Sequence, residues 1–181
     1  MSSNLRSMTS DPDARGPRRE DEVDRIVAAW RRERPDLDVE PLTVLSRVSR
    51  LARHLDLARR GSFARHDLEP WEFDVLSALR RAGEPYRLSP GALLTQTLVT
   101  SGTMTNRIDR LAERGLVQRL PSPGDRRGVL VQLTEQGRAR VDAAMSELLD
   151  VERGLLARLD TRDRERLAEL LHDVVAPFDS P

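Results

Sequence analysis

The chain has 181 residues, no cysteine, no lysine, and 30 arginines that balance 30 acidic residues. Without cysteine there is no disulfide, thiolate metal site or thiol redox sensor. A formal net charge of zero means that any affinity for nucleic acid must come from a local basic surface. The longest uncharged run, between Leu88 and Arg107, is broken by Ser, Thr, Pro, Gln and Gly, so it does not read as a membrane span. The polar N-terminus has no apolar core like a signal peptide's, and the expected location is cytoplasmic.

Residues 1–19 carry almost no apolar anchor and read as a disordered arm. A first helix is expected over Glu20–Arg34. Val23, Ile26, Val27 and Trp30 recur at helical spacing, and Pro35 marks the end. A second helix starts near Pro41 with the stripe Leu45, Val48, Leu51, Ala52 and Leu55, and Gly61 is expected to end it. Pro70 opens a third helix, with Trp71, Val75 and Leu79 inward and Gly83 and Pro85 as the stop.

Ser89-Pro90 starts a short helix to about Gln96. Thr100 is then placed as the N-cap of a helix over Ser101–Arg114, with Met104, Ile108 and Leu111 inward and Gly115 at its end. Short helix, tight turn and longer helix make a helix-turn-helix pattern. The period next switches to two. Leu116–Leu120 reads as a strand, Pro121–Arg127 as a turn, and Val129, Val131 and Leu133 as one face of the return strand. A hairpin in that place is a wing. Two helices close the chain: one carries Val141, Met145, Leu148, Glu152, Leu155 and Leu159, the other Leu167, Leu170, Leu171, Val174 and Val175. The expected fold is mainly α with a small β-hairpin wing.

From Ser101 to Gly128 six arginines (107, 110, 114, 119, 126 and 127) face three acids (Asp109, Glu113 and Asp125). Ser101, Thr103, Thr105 and Asn106 place small polar groups near a helix N-terminus, where side chains reach base edges and backbone N–H groups meet phosphates. Two arginines at a hairpin tip suit the minor groove or its phosphates. A solvated charged helix beside an ordinary hairpin explains the charges equally well.

The segment Thr100-Ser-Gly-Thr-Met-Thr-Asn-Arg-Ile-Asp-Arg-Leu-Ala-Glu-Arg-Gly-Leu-Val117 resembles the recognition helix of MarR-family regulators. Asp125-Arg-Arg-Gly-Val-Leu-Val-Gln-Leu-Thr134 resembles that family's wing, and the resemblance extends over about Glu20 to Val175. It implies a winged helix-turn-helix with N- and C-terminal helices forming a dimerisation scaffold. The implied layout is an arm (1–19), N-terminal helices (20–66), a DNA-binding region (67–134) and C-terminal dimerisation helices (135–181). The implied partners are double-stranded DNA with a pseudo-palindromic operator, a second copy of the chain, and a small anionic effector. No cofactor, metal or membrane is implied. DNA contacts fall to Ser101, Thr103, Thr105, Asn106, Arg110, Asp125, Arg126 and Arg127.

Val23-Asp-Arg-Ile-Val-Ala-Ala-Trp30 is similar to an extra first helix found in the urate-responsive subgroup. That resemblance implies a ligand site of Trp30, Asp74, Arg107 and Arg119. Guanidinium forks suit the adjacent acceptors of a planar purine anion, and Trp30 can cover the ring or donate its indole N–H. Other purines and small carboxylates fit the same four groups. Each residue also has a plainer role: Trp30 in the core, Asp74 with Arg107 as a salt bridge, Arg119 over phosphates. Two further classes compete with the regulator. For an enzyme, the three histidines lack the spacing of a helical metal pair and no phosphate loop is present. For a winged helix used only in protein contacts, the polar recognition helix and arginine-bearing wing argue otherwise.

Overall fold

A computed structural model describes residues 19–97, 100–123 and 125–179, with the side chains of 125–127 left out. Residues 1–18 of the expected arm lie outside the described residues. The chain divides into two compact units, 1–53 and 54–181. Among the described residues no helix is long and apolar enough to cross a membrane.

In the first unit, α1 (Glu22–Glu33) is started by a reciprocal cap. The Asp21 carboxylate accepts from the Asp24 N–H at 3.0 Å, and the Asp21 N–H donates to the Asp24 carboxylate at 3.0 Å. Arg47, on α2 (Glu40–Arg65), donates to both carboxylates. Chiefly through that hydrogen bond, it pushes the Asp21 pKa down to about 2. Val23 and Val27 are buried with Val39 against Leu42. Ile26 and Trp30, expected on the same buried face, are 38% and 46% exposed.

The expectation for Gly61 is corrected. The helix runs through it to Arg65, and a side chain at Gly61 would meet only the flexible Arg65. The helix ends instead on Asp67, which takes a left-handed conformation (φ 53°). The Leu68 N–H reaches back to the Phe63 carbonyl and the Asp67 N–H to the Ala64 carbonyl, a closure more often built on glycine.

The second unit holds α3 (Pro70–Arg81), β1 (Arg87–Leu88), α4 (Pro90–Thr97), α5 (Ser101–Glu113), β2 (Val117–Ser122), β3 (Asp125–Leu133), α6 (Glu135–Leu155) and α7 (Thr161–Asp179). The sheet is antiparallel in the order β1-β3-β2. β1 escapes a periodicity reading because two residues cannot display a period. The expected turn at Pro121–Arg127 is corrected to a shorter one. Pairing continues to Ser122 opposite Asp125, with a register irregularity between Pro121 and Ser122. Leu159 is also corrected, since α6 stops at Leu155 and leaves it in the following turn.

Val75, Leu76, Leu79, Leu93, Ile108 and Leu111 are fully or almost fully buried, and they seal α3, α4 and α5 together. α5 ends at Gly115 (φ 69°), where the Leu116 N–H bonds the Leu111 carbonyl at 2.9 Å. Thr134 ties the wing to α6. Its hydroxyl donates to the Gly115 carbonyl and accepts from the Gly137 N–H. Gly137 is fixed by space, because a Cβ there would overlap the Leu116 carbonyl.

One buried charge joins these elements. Glu72 on α3 is fully buried, and its carboxylate accepts from Arg114 at 2.5 Å and from the Glu69 N–H at 2.9 Å. Arg114 also donates to the Asp67 carbonyl and carboxylate, each at 2.6 Å, and Arg140 of α6 reaches the same carboxylate. Arg114→Ala removes the cationic partner of the buried Glu72 carboxyl. It should lower folding free energy by about 3 kcal/mol, measured by urea unfolding. Glu72→Gln with Arg114→Met should recover most of that loss, since the uncompensated charge is gone. A single variant as stable as the parent would contradict this account of the core.

Candidate nucleic-acid interface and ligand site

α5 divides cleanly into two faces. Met104, Ile108 and Leu111 are buried, whereas Ser101, Gly102, Thr103, Thr105, Asn106 and Arg110 are exposed. The helical period puts the second set on the side away from the core. Thr100 occupies the N-cap position expected for it, but its hydroxyl meets the Thr103 hydroxyl at 2.9 Å rather than a backbone N–H. Thr105 donates to the Ser101 carbonyl. The first-turn N–H groups of α5 therefore lack the N-cap hydroxyl as a partner, which suits an anion at that helix end. The backbone of Asp125, Arg126 and Arg127 lies in β3, and their side chains fall outside the described residues.

The four arginines of this segment whose side chains are described take different partners. Arg114 belongs to the core pair with Glu72. Arg119, on β2, pairs with Asp109 of α5 at 2.7 Å and so fastens the wing to the recognition helix. Arg107 and Arg110 face outward over Trp71, their guanidinium carbons 5.5 Å and 4.8 Å from the ring centre. The Trp71 indole N–H donates to Glu69 at 2.5 Å, and Arg110 contacts the same carboxylate at 3.2 Å. A groove of about 560 Å³ runs along Glu69, Trp71, Gly102, Thr103, Asn106 and the two arginines.

The four residues expected to hold a ligand are placed as follows. Asp74 lines a cavity of about 490 Å³ between the end of α2, α3 and α6, beside Phe63, Phe73, Arg59, Arg80 and Arg81. Phe63 and Phe73 stack there with ring centres 4.1 Å apart. Desolvation by the cavity wall raises the Asp74 pKa, and the nearby charges of Arg107, Arg59 and Arg81 pull it back. Asp74 and Arg107 thus share an electrostatic neighbourhood, yet among the described residues no ion pair joins them within 4.0 Å. Arg119 is engaged by Asp109. Trp30 lies in the first unit, in a shallow apolar hollow with Ile26, Ala29 and Glu33.

The sequence reading did not single out Trp71 as a support for arginines, Glu69 as their counter-charge, or Asp109 as the partner of Arg119. A Trp and a Glu at the start of a helix carry no local sign of what another helix brings over them. Only Asp109, ten residues from Arg119 on a neighbouring element, was within reach of a charge-pair argument.

Residues 66–128 match the MarR family model. The chain is 40% identical to the HTH-type transcriptional regulator PecS of Dickeya dadantii over 150 residues, 83% of this chain and 90% of PecS. A mutant of Escherichia coli MarR complexed with operator DNA superposes with a TM-score of 0.62 at 29% identity, covering 77% of this chain and 99% of that one. Bordetella bronchiseptica BpsR, whose DNA binding is regulated by 6-hydroxynicotinic acid, superposes with a TM-score of 0.54 at 28% identity, covering 71% of this chain and 98% of BpsR. With the exposed polar face of α5, the wing behind it and a relative matched over nearly its whole length, the chain belongs to the MarR family of winged-helix transcriptional regulators, which bind operator DNA.

Proposed function

We propose that the chain binds a pseudo-palindromic operator as a homodimer and is released by a small anionic ligand such as urate or another purine. The observation that carries the DNA half is the open polar face of α5, where Ser101, Thr103, Thr105, Asn106 and Arg110 stand clear of the core. In this reading Arg126 and Arg127 reach phosphates or the minor groove from the wing, with Asp125 beside them. The homodimer reading rests on uncovered apolar surface. Leu170, Leu171, Val174 and Val175 form a stripe on α7 that is 36–51% exposed, and Val44, Leu45, Val48 and Leu51 form another on α2. Stripes of that kind mark an interface in a stable protein. A two-fold pair would set two recognition helices about 34–36 Å apart, one turn of DNA.

The ligand reading rests on the cavity at Asp74. Its volume is in the range of small-molecule sites, and it sets a stacked aromatic pair beside three arginines, of which Arg59 is paired with Glu152 and Arg80 with Asp142, while Asp56 and Asp74 also line it. Asp74, Arg107, Arg119 and Trp30 are the residues we assign to the effector. A second class of effector, a small aromatic carboxylate, is favoured by the likeness to BpsR, whose regulator is 6-hydroxynicotinic acid.

Sedimentation should give a dimer at micromolar protein. On operator duplex, Asn106→Ala should change discrimination among base pairs by roughly 1–3 kcal/mol, whereas Arg127→Ala should weaken all related sites alike and lower the salt slope by about one. A monomer, or an Arg127→Ala protein with unaltered affinity and salt slope, would remove the corresponding half of the reading.

For the switch, Trp30→Phe keeps an aromatic ring without the indole donor, and Arg119→Gln removes a charge while keeping much of the shape. Both should still bind DNA but need about tenfold more urate for release, a loss on the scale of one polar contact. Release at the parent's ligand concentration in both variants would dismiss the four-residue site.

The raised pKa of Asp74 has its own consequence. The folded chain keeps this proton over a range in which an unfolded carboxyl, ordinarily at 3.8, has lost it. Stability contributed here falls as pH rises from 3.8 to the raised value, and the cost persists above it. Asp74→Asn should therefore melt higher than the parent at about pH 7, with the gap closing below about pH 4. A gap of constant size across that range would show that Asp74 titrates normally.

A further inference from the structure

The groove on α5 has a floor that neither the sequence nor the comparisons assign to DNA recognition. Trp71 lies at the first turn of α3, half-buried, packed against the core and lining the groove. Two guanidinium groups from one face of α5, at positions i and i+3, lie over that single ring. Glu69 completes the arrangement. One carboxylate oxygen accepts from the Trp71 indole N–H and the other from Arg110. The ring is thereby held by a hydrogen bond as well as by packing, and Arg110 is held from two sides.

We propose that Trp71 is a positioning residue for operator recognition, an aromatic platform that pre-orders Arg107 and Arg110 along the outward side of the recognition helix. The inference rests on the reading of α5 as the DNA-contacting element. A free arginine on a helix samples many rotamers and must be ordered when it meets a base or phosphate. A guanidinium held over an indole by a cation–π contact samples fewer rotamers while N–H groups not used by Glu69 stay available to a second partner. Glu69 sets the polarity of this device. Its carboxylate partly neutralises Arg110 in the free protein, and a DNA phosphate or a guanine edge offers the same fork a competing acceptor. Arg107 has a second neighbour in Asp74, one helical turn along α3 from Trp71. The platform therefore holds the one arginine that also senses the charge lining the cavity.

The test compares Trp71→Phe with Trp71→Met, two side chains of similar volume of which only the first keeps a π face. Each is assayed beside Arg110→Ala on a duplex selected from a random library by the parent protein, and on single-base variants of it. Melting temperature is recorded for every protein. The expected result is that Arg110→Ala and Trp71→Met each lose about tenfold in affinity, with flattened discrimination among the base variants, the scale of a cation–π contact that is no longer pre-formed. Trp71→Phe should keep most of both. If Phe and Met behave alike, whether both bind as the parent does or both fail, the ring face has no positioning role and the inference is overturned. If Arg110→Ala itself binds and discriminates like the parent, the reading of that arginine as a DNA contact fails too, which separates the two ideas.

Discussion

The burial of Glu72 is the constraint from which the rest of the winged helix follows. A carboxylate with no solvent exposure is costly to bury, by several kcal/mol, unless a charge of opposite sign meets it with good geometry. Arg114 supplies that charge from the last turn of the recognition helix. It can do so only because Asp67 and Arg140 fix its other edge. Asp67 in turn takes a left-handed conformation that a residue with a side chain adopts at a cost, and two arginines on its carboxylate offset that cost. The ends of α2, α3 and α5 and the first turns of α6 thus meet at one polar knot. The first turn of α5, with Ser101 and Thr103, lies at the opposite end of the helix from this anchor, whereas Arg107 stands midway and Arg110 lies in the last turn beside it.

Much of the architecture was legible because the second unit obeys simple periods. Met104, Ile108 and Leu111 are spaced as a helix face demands, and they are buried. Pro70 and Gly115 stand where a helix begins and another ends. The errors have equally local causes. Gly61 permits a left-handed turn but does not compel one, and the surrounding helix formers carried α2 past it to Asp67. A proline pair and a glycine suggested a broad loop at the wing tip, whereas an edge position and a register irregularity let Pro121 remain in β2. Trp30 looks like core on a helical wheel. Its 46% exposure shows that a helical period marks a face without saying what, if anything, packs against it.

The charge pattern was legible in sum and not in detail. Counting six arginines against three acids correctly marks this segment as basic, but the count treats every arginine as available. Arg114 is taken by the core and Arg119 by Asp109. What remains outward on α5 is Arg107 and Arg110, and Glu69, which lies outside the counted segment, already contacts one of them. Local net charge therefore overstates the positive surface and says nothing about its direction. Direction comes from Trp71, an apolar residue that a charge count never includes.

Trp71 and Asp74 are three positions apart on α3, so one face of that helix offers Arg107 two kinds of partner. The ring holds a guanidinium through its π electrons, an attraction that does not depend on the proton of Asp74. The carboxylate attracts it through charge, a force that changes with the proton on Asp74 and with any anion placed beside it. In the ligand reading proposed above, an anion in the neighbouring cavity would add negative charge on the Asp74 side, and so would act on Arg107, which shares that neighbourhood, more than on Arg110, which Glu69 and Trp71 hold.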